Sequence, residues 1–220
     1  MKKSTFTDLV TVIIWAIPIV YLIIIYPGLP ATVPLHYDIQ GKVDRYGSKS
    51  ELLPLVIILS FISLFVYLLL RFVPKIDPKK ATQYGEKVFR KMALGVATFM
   101  SVLCVIILYT TLHPGVPIAK LIFLVVALLF CFLGNIMYNI RPNYFAGIRT
   151  PWTLEDPENW KATHRLAGKT WFIGGILMAV VTLLLPGVVA VVAFLIVTGI
   201  ITLIPVVYSF RWFRKHHSHE

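Results

Sequence analysis

Six continuous apolar runs divide the chain, at residues 9–26, 52–73, 92–112, 118–140, 167–185 and 188–208. Each is close to the ~20 residues that carry an α-helix across ~30 Å of hydrocarbon. None shows the short period-two alternation of a membrane barrel strand. The pattern predicts an all-α integral membrane protein with six transmembrane helices. Pro18 falls inside the first run. It predicts a kink, tolerable where a neighbouring helix covers the carbonyl that the proline frees. The breaks at 113–117 and at Pro186-Gly187 are minimal, so helices three and four, and five and six, should form antiparallel hairpins. Two other breaks are far longer than a turn requires. The chain therefore divides into a two-helix unit at 1–75 carrying the loop 27–51, a basic loop at 76–91, and a four-helix unit at 92–220 carrying the polar stretch 141–169.

Composition agrees. The hydrophobic share is 58% and the charged share 14%, against roughly 25% charged in soluble domains. Mean hydropathy is +0.80. A soluble core could not hide so much apolar surface, whereas lipid can replace that core. A net charge of +11 in a soluble protein would suggest nucleic acid. Here the cations cluster at the ends of apolar runs and no basic DNA-reading motif appears, so the partners they imply are bilayer lipids and not nucleic acid. Seventeen of the 21 Lys and Arg residues fall at the chain ends and in the even-numbered breaks; only Lys42, Arg45, Lys49 and Lys120 fall on the other side. That asymmetry places both termini in the cytoplasm and the loop 27–51 outside. Lys2 and Lys3 before the first run resemble a secretory leader, but the run is long and lacks a small-residue cleavage site, so it reads as a retained helix. Cys104 and Cys131 lie within apolar runs and read as small core hydrophobes, with no disulfide implied.

The loop 27–51 begins with Pro27, Pro30 and Pro34, which hold it extended. Leu35, Tyr37 and Ile39 alternate with His36, Asp38 and Gln40, a short strand-like pattern. Gly41 and Gly47 each offer a turn. His36 and Asp38, two positions apart on an extended segment, point the same way, and Asp44 could add a third ligand. The loop lacks the ligand order of a calcium site, and an ordinary hydrogen-bonded histidine explains the same residues. The tail holds His216, His217 and His219, which could bind a metal weakly but read first as a solvated end. No cofactor is called for.

In the stretch 141–169, Arg141-Pro142 should end the fourth helix. Gly147 allows a turn, after which Arg149-Thr150-Pro151-Trp152 should be extended, with Trp152 at the level of the lipid headgroups. Asp156 suits an N-cap, Pro157 the first helical position and Glu158 the first turn. Thr153 and Asp156 have the spacing of a capping box. From Pro157 a helix should run unbroken into the fifth span. Its first turns have two faces. Trp160, His164, Ala167 and Trp171 form an aromatic stripe, and Lys161, Arg165 and Lys169 a basic one. The basic face suits phospholipid, or a docking protein. His164 could act as a base, yet Thr150, Thr153 and Thr163 have no evident activating partner, and hydrolase, metalloprotease and nucleotide-loop motifs are absent. The spans carry almost no ionisable residue away from their ends, which disfavours a charged transport path.

The segment GIRTPWTL at 147–154, with Trp160, Thr163, His164, Arg165, Leu166, Gly168 and Lys169, resembles the signature of the SdpI-like bacterial membrane proteins. Pro34-Leu35-His36-Tyr37 with Gly41, Asp44 and Gly47-Ser48-Lys49 is similar to that family's companion amino-terminal domain, itself of unknown function. The resemblance implies a six-helix protein of the bacterial cell membrane that confers immunity to a secreted toxic peptide. It implies no catalytic residue, a cytoplasmic relay built on Gly147, Arg149, Thr150, Pro151, Trp152, Thr153, Trp160, Thr163, His164, Arg165 and Gly168, and capture of a cytoplasmic transcriptional repressor. Toxin would engage the external loop, through Pro34, His36, Asp38, Gly41, Asp44 and Lys49. Two rivals stay open at this point, a membrane-embedded metal-dependent enzyme acting on lipid or peptide through His164 or His36, and a small peptide exporter.

Overall fold

Each apolar run becomes one long helix. The computed structural model of the chain describes residues 3–39, 41–79 and 85–217. The spans are α1 (Lys3–Ile25), α2 (Leu52–Ile76), α3 (Glu86–Leu112), α4 (Ile118–Met137), α6 (Pro157–Leu184) and α7 (Gly187–His217), with a five-residue helix α5 (Pro151–Glu155) before α6. All six spans are long and apolar enough to cross a membrane. They pack as a row in which α2 lies on α3, α3 on α4, α4 on α6 and α6 on α7, while α1 sits against α3. Large side chains on the outer surfaces, such as Ile57, Phe61, Ile173, Leu184 and Leu195, are more than half exposed, as lipid-facing positions must be.

The closest seam is α4 against α6. A Cβ added to Gly134 would lie 2.5 Å from the Phe172 nitrogen and 2.9 Å from the Gly168 carbonyl oxygen. Only glycine lets the two backbones meet, and such small-residue contacts are what hold helices together in lipid, where burial of apolar surface gives no preference between neighbours.

Two helix-breaking prolines are repaired by neighbours. Pro18 cannot donate to the Ile14 carbonyl, and the Ser101 hydroxyl of α3 does so at 2.7 Å. Pro205 likewise frees the Ile201 carbonyl of α7, which accepts from Trp171 Nε1 of α6 at 3.1 Å. Both repairs satisfy a polar group that water cannot reach. They also lock α1 to α3 and α6 to α7. At the end of the bundle that carries most of the cations, called here the basic end, Asp8 of α1 accepts from the Tyr67 hydroxyl at 2.9 Å and from Arg71 Nε at 3.3 Å. Arg71 also lies 3.6 Å from Glu86 of α3, which pairs with Arg90.

Several boundaries differ from the sequence expectation: α1 and α3 each begin six residues before their apolar runs, α3 inside the stretch 76–91 expected to be a loop. The loop 27–51 is a two-stranded antiparallel hairpin, β1 (Thr32–Tyr37) and β2 (Val43–Ser48). Gly41 makes its turn with φ +80°. Gly47 makes no turn. It sits in β2, where a Cβ would strike Leu35 and Glu51 at 2.3 Å, because Glu51 folds back to accept the Ser48 amide at 3.0 Å. Helix α4 stops at Met137, three residues early, as its end tightens into Asn139→Ile136 and Ile140→Met137 bonds. Helix α7 runs on through Arg211, Arg214 and Lys215 to His217, so the basic tail is an extension of the span.

Candidate functional site

Residues 141–164 wind into a knot at the basic end. It begins at Asn143, which is completely buried. Its Oδ1 accepts from the Phe145 and Ala146 amides at 2.8 and 2.7 Å. Its Nδ2 donates to the Arg141 and Ala146 carbonyls at 2.8 and 2.9 Å. All four hydrogen-bonding positions of the amide are used, so one side chain fixes the turn. Gly147 follows with φ +110°, a conformation that L side chains rarely adopt. A Cβ there would lie 2.3 Å from His164 Nε2.

His164 fills that gap. Its Nδ1 donates to the Trp160 carbonyl at 2.8 Å, and its Nε2 accepts from the Ile148 amide at 3.0 Å. Both ring nitrogens are thereby occupied in one neutral tautomer. The ring stacks on Trp160 with centroids 4.1 Å apart. Trp160 is buried and donates from Nε1 to the Ile140 carbonyl at 2.8 Å. The aromatic stripe of α6 is thus an internal spine, packed against Ile136, Met137 and Ile148. Its arrangement leaves His164 no free nitrogen for acid–base work.

Thr150 caps α5. Its hydroxyl accepts from the Thr153 amide at 3.3 Å while Thr153 Oγ1 accepts from the Thr150 amide at 3.0 Å. The capping box therefore joins Thr150 to Thr153, not Thr153 to Asp156, and residues 151–155 are helical where an extended segment was expected. Proline at the first position of α5 favours this start. Asp156 caps α6 as anticipated, accepting from Glu158 and Asn159 amides at 2.8 and 3.1 Å. Trp152 does not face outward to headgroups alone. Its Nε1 donates to Ser209 Oγ at 2.6 Å and its ring lies 5.3 Å from Phe210. Asn159, fully buried, donates to the Ser209 carbonyl at 3.0 Å and accepts from Thr163 at 3.0 Å. Gly168 lies against the Tyr138 ring. Arg149 and Arg165 are exposed; Arg149 donates to the Tyr144 carbonyl at 2.5 Å.

A strap from the amino-terminal unit crosses this knot. Asp77, just beyond α2, accepts from the Lys79 amide at 2.7 Å and the Tyr144 amide at 3.1 Å. Lys79 donates to the Leu154 carbonyl and sits over the Tyr144 ring, 5.2 Å from its centroid.

At the opposite end, the candidate binding residues separate into two sets. Lys49 is structural: Nζ donates to the Tyr26 and Leu29 carbonyls at 3.3 Å each and lies over the Tyr26 ring. Pro34 is buried and Gly41 makes the turn. Asp38 closes that turn by accepting from the Lys42 amide at 2.8 Å. His36 Nδ1 pairs instead with Asp44 Oδ1 at 2.6 Å across the hairpin. Of the three candidate metal ligands, His36 and Asp44 thus bond each other while Asp38 holds the turn, and among the described residues no three of His, Cys, Asp and Glu cluster to hold an ion. Of the tail histidines, His216 bonds the Trp212 carbonyl at 2.8 Å and His219 lies outside the described residues. Beneath β1, a cleft of about 330 Å³ opens between Leu52, Ile107, Thr111, Ile118 and Phe123. The Tyr37 side chain lines it, with a buried hydroxyl that has no hydrogen-bond partner.

Residues 139–209 match the SdpI/YfhL protein family, and residues 13–60 match a domain of unknown function, DUF1648. The carboxy-terminal segment thus resembles the SdpI-like family. The chain is similar to "Immunity protein SdpI" of Bacillus subtilis (strain 168), 28% identical over 182 residues that cover 83% of this chain and 82% of that protein. No solved structure matches the chain. It is a multi-pass bacterial membrane protein. The SdpI segment contains the knot: it opens at Asn139, beside the α4 end, and closes at Ser209, where α5 and α6 are pinned to α7. The SdpI-like signature read from sequence missed Asn143, Asn159 and Ser209, and missed Asp77 and Lys79 entirely. Asn143 carried a local signal, since Asn favours turns. Ser209 carried none, because a serine in an apolar span reveals its partners only when the helices are placed.

Proposed function

We propose that this chain is a non-enzymatic immunity protein that protects a bacterial cell from a secreted toxic peptide and signals the encounter by sequestering a cytoplasmic transcriptional repressor. The observation that carries the reading is the similarity to an immunity protein over four-fifths of both chains. The geometry supports a division of labour. The hairpin, on the outside in the orientation read from the cations, exposes Ile39 and Tyr46 by more than half and roofs the cleft of Tyr37. Apolar contacts with one unfilled donor suit a peptide that has an apolar side chain and free carbonyls. The knot, on the cytoplasmic side, presents Arg149 and Arg165 above a rigid interior. The Asp77–Lys79 strap gives a physical route between the ends. A peptide that binds two helix arrangements unequally shifts their populations, and α2 ends in the strap. The occupied nitrogens of His164 support a structural role over a catalytic one.

Expression in a strain sensitive to a kindred secreted peptide tests this. The wild-type chain should raise survival, and Ile39→Ser with Tyr46→Ser should abolish that rise at an unchanged membrane level. Arg149→Ala should keep survival and lose capture of the repressor on membranes. No gain in survival with any such peptide would remove the immunity reading.

A further inference from the structure

One surface of the bundle combines an apolar channel with unneutralised charge. Along α7, Ile200, Leu203, Ile204, Val207, Tyr208 and Arg211 follow one helical face and, with Leu166 of α6, line a groove of about 470 Å³. The groove is open along its side. Two cross-helix bonds fix its depth. Trp171 meets Ile201, and Asn159 meets Ser209. Leu166 lies between these levels, so the groove runs from inside the apolar span at Ile200 to the basic end at Arg211. Lys169 is the i+3 neighbour of Leu166 on α6. Arg165 stands one position further round.

All three cations are exposed. Among the described residues none of them has an ion-pair partner, whereas Arg71, Arg90 and Lys161 each meet a carboxylate. The groove therefore offers a channel for a hydrocarbon chain, a tyrosine at the boundary and a lining cation, Arg211, at its basic end, with Lys169 and Arg165 on the adjoining turns of α6. A second groove, between α3 and α4, has a similar apolar lining and a single cation, Lys91.

We propose that the α6–α7 groove is a binding site for one anionic phospholipid, with its phosphate on Arg211, the Lys169 side chain extending toward it from α6, and an acyl chain along Leu203 and Ile204. The site has a consequence for the knot. Tyr208 and Arg211 flank the turn of α7 whose Ser209 accepts from Trp152 and Asn159. Lipid bound there stabilises that turn and through it the seating of α5. The proposal stands independently of the immunity reading.

The test uses the full chain in detergent, titrated with phosphatidylglycerol or phosphatidylcholine and read by native mass spectrometry and by the thermal unfolding midpoint. Each cation near an anionic surface is worth about fivefold in binding. Phosphatidylglycerol should bind at least about fivefold tighter than phosphatidylcholine and should raise the midpoint. Arg211→Gln with Lys169→Gln should remove that preference, Arg211→Lys should keep it, and Lys91→Gln should leave it unchanged. Val207→Trp, which fills the channel, should weaken both lipids together. These side chains are exposed, so the variants should fold; a midpoint matching wild type without added lipid verifies it. Equal binding of the two lipids overturns the proposal, as does an equal loss in Lys91→Gln. Full competition by soluble glycerol phosphate would show a phosphate contact without a chain, and would overturn it too.

Discussion

The hairpin and the knot are comparable in length and opposite in construction. In the hairpin, side chains bond across the two strands or within the turn, and His36, Asp44, Arg45 and Tyr46 stand exposed. In the knot, Asn143, Thr153, Asn159, Thr163 and His164 are buried, and each is bonded to a partner. A buried polar network is costly when half satisfied and rigid when complete. The hairpin keeps a defect of the kind that the knot avoids, a buried hydroxyl on Tyr37 with nothing to bond. One end of the molecule is finished within itself, and the other is left able to bond something else.

The sharpest way to break this contrast is to disturb the knot at its tightest point. Gly147→Ala should lower stability by about 3–4 kcal/mol, combining a left-handed residue with a clash against His164. Thermal unfolding in detergent should show it, and a midpoint within error of wild type would mean that the knot is loose. Trp160→Phe keeps an aromatic ring but strands the Ile140 carbonyl, at a cost of about 1–3 kcal/mol. The same scan checks it.

What could be read from sequence divides along the same line. Helix number, the start of α6 at Asp156 and the aromatic stripe followed from local signals, namely run length, a capping acid with proline, and helical spacing. The α5 helix did not, because Arg149-Thr150-Pro151-Trp152 reads as extended until Thr153 is seen to close the box with Thr150. His164 was identified, but its partner Ile148 is a backbone amide sixteen residues away, which no spacing rule reveals. The metal reading of His36 and Asp38 rested on strand alternation. In the structure Asp38 at the turn bonds the Lys42 amide, and Asp44 on the opposite strand takes His36.

A smaller effect tests the strap between the two regions. Asp77→Ala removes the acceptor for both the Lys79 and Tyr144 amides and should cost about 1–2 kcal/mol. Its greater effect should be on communication. If the strap carries the signal, the variant keeps protection against the peptide and loses the linked change in repressor capture. Protection and capture falling together, in step with protein level, would reduce the strap to a brace.

The smallest change in stability should come from Tyr37→Phe. The variant deletes a hydroxyl that is buried without a partner, so the folded state loses no bond and sheds a desolvation cost. Stability should be unchanged or higher by up to about 1 kcal/mol. His36→Ala gives a reference on the same hairpin, because it breaks an exposed pair worth less than about 1 kcal/mol. The two variants then separate fold from function. If the hydroxyl is kept for a ligand, Tyr37→Phe lowers protection while the unfolding midpoint holds or rises, and His36→Ala lowers neither by much. A fall in both protection and midpoint for Tyr37→Phe would mean that the hydroxyl holds the hairpin together. In that case the contrast between an open end and a finished end would fail at the residue that defines it.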